Sequence, residues 1–122
     1  MCNFIKFKSF LHFQLIGCAI NAACLAVLNS GLAMKYLVAA VHCIIDKDNE
    51  FIIDPNHRQS KDAKANLTFV FDSIDYNCIV THTIGIFSIG QYNDIFLLCK
   101  EASKNIFQFY RDIVKKTTNI LE

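Results

Sequence analysis

The segment from residue 18 to residue 30, CAINAACLAVLNS, constrains the fold more than any other part of the sequence. Its apolar residues recur at helical spacing, and Gly31 follows where a helix commonly stops. Because the segment is apolar on nearly every side, the sequence predicts a core helix that other elements cover all round. The rest of the fold has to supply that cover.

The apolar content of the whole chain also requires that other surfaces cover its apolar side chains. Of the 122 residues, 53% are hydrophobic, whereas soluble domains usually contain about 45–50% apolar residues. A small domain has much surface for its volume, so the excess has to lie in a membrane, on a partner or against a missing part of the fold. The net charge of +1 gives no global basic field, so any contact with nucleic acid has to be local.

The cysteines indicate neither a metal site nor a disulfide framework. They form no CxxC pair, and none has zinc-finger spacing to a histidine. Most lie inside apolar runs, where a thiol behaves as a small hydrophobe, so a reducing intracellular compartment is favoured. The six are Cys2, Cys18, Cys24, Cys43, Cys78 and Cys99. We therefore predict no bound metal and no cofactor.

The first sixteen residues resemble a signal peptide or membrane anchor at first sight. Lys6 and Lys8 precede an apolar stretch that continues beyond residue 16. His12 and Gln14 interrupt this stretch, and no uninterrupted run reaches the roughly 18–20 apolar residues that a membrane span requires. The sequence predicts no membrane contact, although a small membrane-associated protein stays an alternative.

The remaining pattern predicts an α+β domain. A buried strand, a charged turn and a second short strand form a hairpin, and a polar stretch then forms a loop or a short irregular helix. Two further strands and a long amphipathic helix complete the chain. The predicted strands are 36–45, 51–53, 67–71 and 78–87, the polar stretch is 54–64, and the last helix is 91–121.

A long collinear pattern resembles the second half of an RNase PH domain. The run AINAACLAVLNSGLAMKYLVAAV is similar to the family's helix and following turn, and IIDPNHRQSKDAKANLTFVFDS to the strand and loop after it. The resemblance covers Gly17 to Leu121. It implies a partial RNase PH-like domain over residues 17–122, of the ribosomal protein S5 domain 2-like type, with four mainly antiparallel strands between a first helix and a long last helix. Residues 1–16 are then an atypical stretch outside the family fold, and the family's N-terminal half has no counterpart.

The resemblance also implies a vestigial catalytic site. Enzymes of this family degrade RNA from its 3′ end by phosphorolysis, with a Thr-Arg pair that holds phosphate and two acidic residues that hold a metal ion. An anionic nucleophile attacking an anionic backbone needs such cations. On the family pattern, Ile16 and Gly17 occupy the positions of the pair, Asp54 matches the first acid, and Ser60 replaces the second. We therefore predict no catalytic residue and no bound metal.

Several side chains admit two interpretations. Arg58, Lys61 and Lys64, with His57, form a basic loop that is either solvated or in contact with the RNA backbone. The resemblance favours RNA, because the family lines a channel with this face. Asp54 is alternatively a turn or cap aspartate before Pro55. Two histidines lie singly within strands, and core or sheet-surface positions are favoured over metal binding for both: His42 and His82.

The resemblance implies a non-catalytic structural and RNA-path subunit of the RNA exosome ring. Such a subunit supports 3′-to-5′ RNA processing and decay, including rRNA maturation, in the nucleus, the nucleolus and the cytoplasm. Its partners are other RNase PH-like ring subunits, RNA-binding cap subunits and RNA. An active phosphorolytic 3′-to-5′ exoribonuclease of the RNase PH type is the alternative within the same family.

Overall fold

The computed structural model consists of a four-stranded sheet and two long helices that pack against it. It describes residues 2–121, with side chains for residues 15–56 and 58–116. The order of elements confirms the predicted α+β class. The elements are α1 (Cys2–Asn29), β1 (Val38–Ile45), β2 (Phe51–Ile53), α2 (His57–Lys61), β3 (Ala65–Asp72), β4 (Cys78–Gly85) and α3 (Ile89–Leu121).

The sheet is antiparallel throughout, in the order β2-β1-β3-β4. The predicted hairpin of β1 and β2 is confirmed, with Ile44 opposite Ile52. β1 and β3 are the central strands, and every residue of β1 after Val38 is buried. This position explains why β1 is apolar at every residue except His42, because a central strand that is covered on both faces needs apolar side chains on both.

One face of the sheet packs against α3 and forms the main core. Cys43 and Phe69 on the strands pack with Ile95 and Cys99 on the helix. The two thiol sulfurs lie 3.0 Å apart, and the hydrogen bond with Cys99, together with burial, raises the pKa of Cys43 well above its usual range. The apolar periodicity predicted for α3 therefore identifies its inner face. Leu98 belongs to the same predicted stripe but is exposed, so the stripe is wider than the surface this sheet covers.

The second half of α1 closes the edge of β1 where the short strand β2 has ended. Asn21 donates from Nδ2 to the carbonyl of Ala40 at 3.0 Å and accepts from the Ala40 amide at 2.8 Å. The hydroxyl of Tyr110 donates to Asn21 Oδ1 and to the carbonyl of Val38, both at 3.2 Å. The Asn21 amide thus replaces a strand neighbour, which satisfies an edge that would otherwise be unpaired.

Two features of the predicted first helix are wrong. The helix begins at Cys2 rather than at residue 18, so the proposed boundary after residue 16 lies inside one continuous element. The helix is also not covered all round, since Leu15 is 59% exposed and Val27 is exposed as well. Within the described part of the chain, the helix contacts β1, β3, α2 and part of α3, and these elements lie along only some of its sides. Side chains of residues 1–14 lie outside the described residues, so the domain division stays a prediction.

Candidate functional site

The polar stretch after β2 forms one short capped helix, α2, which positions most of the candidate residues. Asn56 Oδ1 accepts from the Gln59 amide at 2.9 Å, and Gln59 Oε1 accepts from the Asn56 amide at 3.0 Å. This reciprocal capping box satisfies two amides that a helix start leaves free. Of the two alternatives for residues 54–64, the short helix is therefore confirmed.

The two positions matched to the family's acids have opposite environments. Asp54 is exposed at the end of β2, with a φ of 53°, and its amide donates to the carbonyl of His42 at 2.9 Å. Ser60 is only 2% exposed, and its Oγ has no hydrogen-bond partner among the side chains that the structure describes. A buried hydroxyl and an exposed carboxylate do not form a shared site that faces solvent.

The positions matched to the phosphate-binding pair lie within α1. Ile16 is half-buried, and Gly17 is buried although a Cβ built on it meets no atom within 4 Å. Neither residue carries a hydrogen-bond donor on its side chain. Within residues 15–56 and 58–116, no group of three or more His, Cys, Asp or Glu side chains could hold a metal ion. The predicted absence of a metal stays a prediction.

His42 lies on the face of the sheet away from α3, in the same row as Thr68 and His82. Burial lowers the pKa of His42, and this outweighs its 3.2 Å hydrogen bond with Asn66 and the nearby charge of Asp54, which both raise the pKa. His42 is nearly buried and His82 is exposed. Both therefore occupy sheet positions, one in the core and one on the surface.

The structure divides the basic loop between two grooves. Lys61 and Lys64 line a groove of about 310 Å³ together with Lys47. Arg58 lines a different groove of about 410 Å³, which also contains four carboxylates. Sequence reasoning missed Lys47, because it appears there as one charge within a charged turn. The side chain of His57 lies outside the described residues.

Lys64 is held by hydrogen bonds of both its backbone and its side chain. Its amide donates to the carbonyl of Ile45 at 2.8 Å, and its Nζ donates to Asn49 Oδ1 at 3.0 Å. The same Asn49 oxygen accepts from Gln91 Nε2 at 3.1 Å, which links the turn to the start of α3. An ammonium group has three protons, so Lys64 still has two to donate to a ligand.

A second surface feature is the outer strand β4, which exposes apolar side chains on both of its faces. Val80 is 52% exposed, Ile86 on the segment that leads to α3 is 78% exposed, and Ile89, the first residue of α3, is 83% exposed. β4 pairs only with β3 among the described strands, so its other edge is open. Such an edge is an established template for strand pairing with another segment.

No helix within the described part of the chain has both the length and the apolar character needed to cross a membrane.

Comparison with known proteins identifies the class of fold. The chain matches the crystal structure of rice (Oryza sativa) Rrp46 with a TM-score of 0.76 and 30% identity, over 83% of this chain and 48% of that chain. It matches cell-death-related nuclease 5 of C. elegans with a TM-score of 0.77 and 25% identity, over 85% and 57% of the two chains. No protein-family model matches. The fold is similar to that of RNase PH-like Rrp46 structures over about half of their length, as predicted.

The particular likeness is to exosome subunits named RRP46. The chain is 28% identical to the Arabidopsis thaliana protein named exosome complex exonuclease RRP46 homolog, over 80% of this chain and 48% of that protein. The chain thus spans about half the length of the curated relatives that it matches. The resemblance to this branch of RNase PH-like proteins is confirmed.

Proposed function

We propose that this chain acts as a non-catalytic structural subunit of an exosome ring and contributes to the path of RNA through it. The likeness to RRP46 proteins over 80% of the chain carries the proposal. The proposed partners are other RNase PH-like ring subunits, RNA-binding cap subunits and RNA. In this role the chain supports 3′-to-5′ RNA processing and decay, including rRNA maturation, in the nucleus, the nucleolus and the cytoplasm.

The surface of the chain supports a structural role. β4 combines an open edge with exposed Val80 and Ile84, and the adjoining segment exposes Ile86 and Ile89. Burying these side chains against a neighbour is favourable by about 25 cal/mol for each Å² of apolar surface. Pairing of the free edge would add backbone hydrogen bonds. A neighbouring RNase PH-like chain offers both kinds of contact.

The residues at the vestigial positions support the non-catalytic part. Ser60 supplies no charge to a divalent metal and is buried, and Ile16 supplies no donor to phosphate. Two relatives carry the words exonuclease or nuclease in their names, which favours a second candidate function, phosphorolysis or another RNA cleavage. The substitutions at the catalytic positions argue against phosphorolysis in this chain.

Co-expression tests the structural role. We expect the chain to aggregate when expressed alone and to co-elute with RNase PH-like ring subunits when they are produced together. The double variant Val80→Asp, Ile84→Asp places charges on β4 and should abolish co-elution. Leu32→Asp changes another exposed apolar residue, in the loop after α1, and serves as the control. A monodisperse, cooperatively melting monomer that ignores these subunits would contradict the proposal.

A further inference from the structure

Three lysines from separate parts of the chain meet at one groove. Lys47 comes from the turn between β1 and β2, Lys61 from the last turn of α2, and Lys64 from the residue before β3. They line a groove of about 310 Å³ with Asp62 and Ala63. Among the residues that line this groove, three are positively charged and one is negatively charged, on a chain whose net charge is +1.

The backbone around this groove is fixed by hydrogen bonds, so the lysines project from ordered positions. Asp46 Oδ1 accepts from the amides of Asp48 and Glu50, both at 2.9 Å, and these bonds close the turn that carries Lys47. Asn49 then holds the Nζ of Lys64 at 3.0 Å. A cation that is already ordered loses less side-chain entropy when it binds an anion.

Arg58 stands in a different electrostatic environment, although it is only three residues from Lys61. Its groove contains four carboxylates and two cations, Arg58 itself and Lys47. A phosphate placed there would meet more negative than positive charge. Lys47 and Asp62 line both grooves and so mark the wall between them. The four carboxylates belong to Asp46, Asp48, Glu50 and Asp62.

We infer that the groove of Lys47, Lys61 and Lys64 binds a phosphate group, and that Lys47 rather than Arg58 is its third cation. The inference rests on the RNA role proposed above and names the part of the surface that performs it. A phosphate oxygen accepts from the free protons of the ammonium groups in charge-assisted hydrogen bonds. The ligand is an RNA phosphodiester, and inorganic phosphate shares its chemistry. Contacts of this kind read no base sequence.

RNA binding by single variants of the full 122-residue chain, in the complex that keeps it in solution, tests the inference. Labelled single-stranded RNAs of two unrelated sequences are titrated by fluorescence anisotropy at several salt concentrations. We expect Lys47→Ala and Lys61→Ala each to weaken the binding of both RNAs by about tenfold, since each removes one charge-assisted hydrogen bond. Removing one phosphate-binding lysine should also lower the salt slope by about 0.7. Arg58→Ala, the matched control, should stay within about twofold.

Lys64 needs a second variant, because its side chain also holds Asn49. Lys64→Gln keeps a donor for Asn49 and removes the charge, so it should weaken RNA binding as much as Lys64→Ala. If Lys64→Gln binds as well as the unchanged chain, the effect of Lys64→Ala is structural and the inference loses this residue. Circular dichroism of every variant confirms that the fold is retained.

The outcomes separate this inference from the broader RNA proposal. If Arg58→Ala weakens RNA binding and Lys47→Ala does not, the groove assignment is overturned while RNA binding stands. If the unchanged complex binds no RNA, the RNA proposal fails, and titration with inorganic phosphate then tests the groove alone. Amide chemical shifts of Lys61, Ala63 and Lys64 should move with added phosphate and not with chloride at the same ionic strength. Shifts that do not respond would overturn the groove as an anion site of either kind.

Discussion

The buried hydroxyl of Ser60 has an energetic cost that a substitution can measure. Its Oγ is out of contact with water and has no partner among the described side chains, and an unsatisfied buried polar group costs about 1–3 kcal/mol. We expect Ser60→Ala to leave the free energy of unfolding unchanged or raise it by about 1 kcal/mol. Ser60→Asp, which restores the family's acid, buries a charge and should lower it by about 3 kcal/mol. Urea unfolding measures the free energy of unfolding of both variants. If Ser60→Ala lowers this free energy as much as Ser60→Asp does, the Ser60 hydroxyl has a hydrogen-bond partner.

Burial of His42 makes the folded chain less stable as the pH falls. Its pKa in the folded chain is lowered from 6.5 by burial, so the unfolded chain binds the proton more readily. The stability that follows from a neutral His42 is complete above pH 6.5 and is lost as the pH falls from there through the folded pKa. His42→Gln should flatten the pH dependence of the melting temperature in this acidic window. An unchanged pH profile in His42→Gln would contradict this.

At the scale of elements, the junction of α1, β1 and α3 depends on one amide. Asn21→Ala removes both partners of the Ala40 backbone and should lower the free energy of unfolding by about 2 kcal/mol. Tyr110→Phe removes the hydroxyl that joins Asn21 to Val38 and should cost about 1 kcal/mol. Because the two groups touch, the double variant should be destabilised by less than the sum of the two single variants. Asn105→Ala, at an exposed position of α3, is the control in the same urea experiment.

The sequence predicts the elements well and their lateral contacts poorly. Periodicity locates all four strands and α3 because apolar residues recur at regular spacing in each of them, including β4, whose side chains are mostly exposed. It does not reveal the role of Asn21, which interrupts an apolar run, because its partner Ala40 lies across the fold. The candidate site also combines residues that are close in the sequence with one that only the fold brings near them. Lys61 and Lys64 are neighbours in sequence and share a groove, whereas Lys47 joins them only through the β1–β2 hairpin.

For the whole molecule, the apolar excess of the sequence is visible as uncovered surface. The main core fills one face of the sheet, yet apolar side chains remain exposed along β4, on the segment that leads to α3, and on α1. These side chains are available to a neighbouring surface of the kind that the proposed ring would provide. The same apolar content therefore accounts for both the fold and the proposed need for a ring.

The last prediction concerns catalysis by the assembled molecule. Phosphorolysis requires cations at the phosphate and a metal held by acids, because both the nucleophile and the RNA backbone are anionic. This chain has Ile16 at the phosphate position and Ser60, buried and uncharged, at the second acid. We expect no shortening of RNA that depends on phosphate and Mg²⁺. Nucleoside diphosphates are measured by chromatography, against a preparation of the same partners without this chain. Diphosphate release above that control, lost in Asp54→Asn, would show that Asp54 holds a working metal and that the chain is an enzyme.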